Sequence, residues 1–134
     1  LAKGAYVLAD APNAKPQVIL MGTGSEVSLC MAAHDALAKE GIASRVVSMP
    51  SWEIFEATCA KDPAYREQVF PSAVTARVAV EMGSPLGWAQ YAGSTGAVIA
   101  MHSCGASAPL KDLLIEFGFT SAKVVEAAKA QLAK

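Results

Sequence analysis

Five polar side chains stand where apolar runs give way to turns and helices: Thr23, Ser51, Glu81, His102 and Cys104. The run Gly22-Thr23-Gly24-Ser25-Glu26 leads from a predicted strand into a predicted helix. Free backbone N–H groups and the positive dipole end at such a start hold anions, so Thr23, Gly24 and Ser25 form a candidate anion or ligand site. The spacing Thr23-x-x-Glu26 also fits a capping box, in which Thr23 accepts from the helix and Glu26 bonds back. His102-Ser103-Cys104-Gly105 precedes a helix that opens at Ser107-Ala108-Pro109. A thiol there would be aimed at a substrate with helix N–H groups as an oxyanion hole, and its base would be His102 or His34. The full nucleophile-elbow pattern is absent, and Cys104 also reads as a small apolar residue.

The remaining candidates carry weaker signals. Glu81 ends a strand, as a general base or as a rim carboxylate paired with a cation. His34 falls seven residues after Val27, on the apolar stripe of its helix, where a half-buried histidine bonded to a carbonyl is expected before a ligand. Arg66 and Glu67 read as a solvated helix face. Trp88 and Tyr91, three apart, form with Leu86 a candidate interface to another domain, or else local core. The interface reading draws on the stretch from Met82 to Leu110, which carries no formal charge.

These groups need a scaffold, and the composition bounds it. The 134 residues fit a single domain, taken as 1–134. Hydrophobic residues at 53% against 17% charged exclude a disordered chain. Eleven basic and 12 acidic residues leave a net charge of −1, and the basic ones are scattered. That argues against a nucleic-acid or membrane-surface partner, either of which needs a basic face. Cys30, Cys59 and Cys104 lie far apart with no Cys-x-x-Cys, which points to reduced thiols and a cytoplasmic setting. Glycines, Pro85 and His102 interrupt the uncharged stretch, so it is not a membrane span. A start at Leu1 suggests a fragment or processed product.

Strand patterns cover 5–9, 17–21, 42–49, 74–80 and 96–101. Helical patterns cover 23–40, 51–60, 63–70, 86–92, 109–117 and 121–133. The stripe of the first long helix is Val27, Cys30, Met31, Leu37 and Ala38. This alternation predicts a three-layer α/β/α domain around a mostly parallel five-stranded sheet. The first strand has only a turn behind it and would pair antiparallel at an edge. Ligands then bind beyond the carboxyl ends of the parallel strands, where the polar cluster lies.

Several ordered motifs resemble the C-terminal domain of transketolases, closest to the bacterial type. They are Thr23-Gly24-Ser25-Glu26-Val27, Arg45-Val46-Val47-Ser48-Met49-Pro50-Ser51, Tyr65-Arg66-Glu67, Ala73 through Glu81, Gly105-Ala106-Ser107-Ala108-Pro109 and Phe117-Gly118-Phe119-Thr120. The family implies a homodimeric enzyme that uses thiamine diphosphate and Mg²⁺ or Ca²⁺. Such an enzyme moves a two-carbon ketol unit between phosphorylated sugars, with its cofactor and substrate sites in the first two domains. The resemblance therefore implies a third domain with a structural and interaction role. It transfers no catalytic, cofactor-binding or metal residue to this chain. The family's Gly-Asp-Gly…Asn motif is missing: no Asp is flanked by Gly, and Asn13 is the only Asn. Cys104 departs from the aromatic that relatives tend to show. The rival readings are a small-anion or nucleotide-binding regulatory module at the strand rim and a hydrolase using Cys104.

Overall fold

A computed structural model describes residues 2–81, 87–100 and 120–134. Its strands are β1 (Tyr6–Ala9), β2 (Val18–Gly22), β3 (Ser44–Ser48), β4 (Arg77–Glu81) and β5 (Ala97–Ala100). Its helices are α1 (Glu26–Lys39), α2 (Trp52–Lys61), α3 (Pro63–Val69), α4 (Ala89–Ala92) and α5 (Ser121–Leu132). The strands form one sheet in the order β1-β3-β2-β4-β5. The pairs β3–β2, β2–β4 and β4–β5 are parallel, and β1 runs antiparallel against β3 at the edge.

The unbroken run Val-Ile-Leu-Met of β2 is buried throughout, as a central parallel strand with helices on both faces requires. Alternation sends Val18 and Leu20, with Val46, Val78 and Val80, to one face. There they meet Val27, Cys30, Ala33 and Leu37 of α1 and Val124 and Ala128 of α5. Ile19 and Met21, with Val47 and Ala79, go to the other face, against Phe55, Cys59, Val69, Trp88 and Tyr91. Three layers result. The buried face of α1 differs from the expected stripe: Ala33 is buried, Met31 is half-buried and Ala38 is exposed.

The ends follow local chemistry. Helix α1 stops at Glu40, and Gly41 takes φ +77, a conformation that glycine adopts without strain. Ser51 and Thr120 cap α2 and α5, accepting from Ile54 N and Lys123 N. Strand β4 starts three residues later than the pattern suggests, because Val74 N closes a turn on Pro71 O at 3.0 Å. The predicted helix at 109–117 lies outside the described residues. So does much of the uncharged stretch, with Leu86, His102 and Cys104.

Candidate functional site

At the carboxyl ends of the strands, Met49 N donates to Gly22 O at 2.9 Å and brings the Gly22 and Ser51 turns side by side. Thr23 is half-buried, and Gly24 (φ +55) and Ser25 are exposed. The capping box does not form. Helix α1 begins at Glu26, so Glu26 is its first residue rather than its third, and its N-cap Ser25 makes no side-chain cap bond. Instead Ser25 Oγ donates to Glu26 Oε2 at 3.1 Å, and Glu26 is only 7% exposed. A buried carboxylate thus sits at the positive end of α1, where an incoming anion would have to bind.

Glu81, on the same rim, accepts from the Trp88 indole N–H at 2.9 Å. Trp88 is 0% and Tyr91 1% exposed, and both pack in the core beneath α2. Of the two readings left open for Trp88 and Tyr91, interface or local core, this burial within the chain matches local core. Four-residue α4 turns both rings inward, where Trp52 lies edge-on at 4.9 Å from Trp88 and 5.5 Å from Tyr91. Trp52 Nε1 is buried without a hydrogen-bond partner. Arg66, with its side chain 40% exposed, lies on a solvated face as expected, beside exposed Glu67. Its Nη2 meets Glu56 Oε1 at 2.5 Å, and its guanidinium lies 5.4 Å from the Phe55 ring centre. Tyr91 Oη donates to Glu56 Oε2 at 2.7 Å. The Tyr91 bond, against partial burial and with help from Arg66, holds the Glu56 carboxyl below its ordinary range, and burial pushes the Tyr91 phenol up.

A second polar cluster lies at the opposite, amino end of the parallel strands. Arg45 on β3 is 4% exposed. Its Nε donates to Asp10 Oδ1 at 2.8 Å, and its Nη1 donates to Gln68 O at 2.8 Å. Burial alone would raise the Asp10 carboxyl, but bonds from Arg45 and the Ala11 amide, with the Arg45 charge, hold it below the usual carboxylate range. His34 Nδ1 lies 2.6 Å from Ser44 Oγ, so its partner is a hydroxyl rather than the expected carbonyl. Beside them opens a pocket of about 250 Å³. Spacing along the chain does not group Asp10, His34, Ser44 and Arg45. The available signal was a charged residue inside the apolar run 42–49, which a strand buried on both faces tolerates only when the charge is paired.

The described thiols are buried and disfavoured as thiolates. Cys30 is 0% exposed and burial pushes it up to about 12, while Cys59 is 7% exposed and raised by burial. Among the described residues, no three His, Cys, Asp or Glu side chains come together as a metal site. Nor, among them, is any helix long and apolar enough to cross a membrane.

This architecture and its motifs have relatives. Residues 4–120 match the profile of the transketolase-like TK C-terminal domain. The chain belongs to the transketolase C-terminal domain family. It is 55% identical over 132 residues to the transketolase of Halalkalibacterium halodurans and 49% identical over 132 residues to transketolase 1 of Escherichia coli. In both cases the alignment covers 98% of this chain and 19% of the relative. The structure resembles transketolase from Leishmania mexicana, with a TM-score of 0.87 at 37% identity, covering 98% of this chain and 18% of that one. The chain therefore spans about a fifth of the length of the transketolases it matches. As a transketolase C-terminal domain it has the expected mostly parallel α/β/α architecture with an antiparallel edge strand.

Proposed function

We propose that this chain is the C-terminal domain, 1–134, of a cytoplasmic, homodimeric transketolase. In that enzyme the remaining domains bind thiamine diphosphate, a divalent cation and phosphorylated sugars, and move a two-carbon ketol unit. This domain supplies packing surface to those domains and to the second subunit. The observation that carries the reading is end-to-end likeness to one fixed fifth of transketolases: 98% of this chain aligns, at 55% identity, to 19% of the relative.

Among the described residues, no set of oxygen donors converges as the diphosphate and its cation would need. Asp10 is committed to Arg45, Glu56 to Tyr91 and Arg66, and Glu81 accepts from Trp88. The regulatory-module reading has the buried Glu26 against it, since its side chain already occupies the positive end of α1.

Two measurements test the proposal together. The full-length protein should transfer a ketol unit between sugar phosphates in a manner that depends on thiamine diphosphate and Mg²⁺. Calorimetric titration of the 134-residue chain with the same pair should give no saturable heat. Micromolar binding by the chain, or a full-length protein inert toward sugar phosphates, would overturn the reading.

A further inference from the structure

The pocket at the amino end of the parallel strands is lined by Asp10, Pro12, His34, Ala38, Ile42 and Ser44, among others, and measures about 250 Å³. Two features set its polarity. Asp10 reaches the lining, while its partner Arg45 does not line the pocket and is only 4% exposed. The pair therefore presents the negative end of a dipole to the pocket. Ala38 and Gly41 place the carboxyl end of α1 on the same wall, and that end carries the partial negative charge of the helix. No Lys or Arg lines the pocket. Pro12, Ala38 and Ile42 give apolar wall, and the His34 ring, 2.6 Å from Ser44 Oγ, adds a polar stretch of lining.

The turn beside the pocket is held by the same ion pair. In the turn after Pro12, Asn13 (φ 59) and Ala14 (φ 54) both adopt the left-handed region. For alanine that conformation is strained, and such outliers persist where surrounding structure holds them. Arg45 Nη2 donates to Ala14 O of this turn at 3.4 Å. The ion pair thus holds both the carboxylate and the turn in place.

We propose that this pocket binds a small organic cation, a primary amine with an apolar body. The ammonium sits against Asp10 and the carboxyl end of α1, and the body lies on Pro12, Ala38 and Ile42. Asp10 retains acceptor capacity for it: Oδ1 takes Ala11 N and Arg45 Nε, and Oδ2 takes only Arg45 Nη2, at 3.2 Å. The volume suits a ligand of about ten heavy atoms, for which a dissociation constant of about 1 mM is a realistic ceiling.

The test is a ¹H–¹⁵N titration of the chain with benzylamine, benzyl alcohol and benzoate. Benzylamine should shift the amides of Gly41 to Ser44 saturably. The neutral alcohol should bind at least fivefold more weakly and benzoate not at all, and Asp10→Asn should weaken benzylamine at least fivefold (roughly the loss of one charge-assisted hydrogen bond). Ala38→Leu places bulk in the pocket from an exposed helix position, keeps every charge, and should abolish binding in a folded spectrum. Shifts that are equal for the three probes, or unchanged in Ala38→Leu, would overturn the proposal even if Asp10→Asn failed to fold.

Discussion

Arg45 Nε and Asp10 Oδ1 lie 2.8 Å apart, and the two ends of that bond see different surroundings: Arg45 is 4% exposed and Asp10 34%. The guanidinium is held from inside by the carbonyls of Gln68 and Val69, so only the carboxylate end is open to protons. Asp10 is held below its ordinary value when folded. Its contribution to stability is therefore complete above the unfolded value of about 3.9 and is lost as pH falls through the lower folded value. Asp10→Asn should cost roughly 2 kcal/mol near neutrality, the worth of hydrogen bonds to a charged group. Urea midpoints of wild type and variant should converge under strong acid. A gap that persists at the most acidic pH would show that the carboxylate charge is not the source.

Caps at the rim are unequal. Ser51 Oγ accepts from Ile54 N at 3.2 Å, whereas no side chain caps α1. Ser51→Ala should lower stability by about 1 kcal/mol, and Thr23→Ala by less than about 0.5 kcal/mol. Denaturation midpoints at constant slope read both, and equal losses would restore a capping role to Thr23.

Trp88 is wholly buried and hydrogen-bonded to Glu81. Trp88→Ala should cost roughly 3–5 kcal/mol, the range for a large aromatic removed from a core. Sedimentation at high concentration should show no weakening of any self-association among molecules that remain folded. A stable variant with suppressed association would return Trp88 to an interface.

Two glycines with similar φ separate strain from space. Gly41 (φ +77) has nothing within 4 Å of an added Cβ, while at Gly4 (φ +83) that atom would fall 2.2 Å from Phe55 N. Gly41→Ala should cost about 1 kcal/mol, from the backbone conformation alone. Gly4→Ala should cost about 3 kcal/mol or more, because the turn before β1 would have to leave the start of α2. Circular dichroism melts of the pair give the comparison, and equal shifts would show that the Gly4 turn adjusts freely.

What the sequence determined by itself was periodic or local. The run Val18–Met21 could only be a strand covered on both faces, Gly41 had to end a helix, and strand–helix alternation dictated a mainly parallel sheet. The motifs carried the family, because ordered short matches along the whole chain are specific together. Tertiary structure decided how distant polar groups are paired. Thr23-x-x-Glu26 has capping-box spacing, yet α1 begins at Glu26 and the box cannot close. Trp88 and Tyr91 have the spacing of an exposed anchor, yet one short helix turns both onto Trp52, Phe55 and Phe70. Asp10 and Arg45 are 35 residues apart and meet only because β1 runs antiparallel along β3. Spacing along a chain sets which residues share a face of one element. Which face meets which is set by the packing of whole layers, and the amino-end pocket with its carboxylate exists only there.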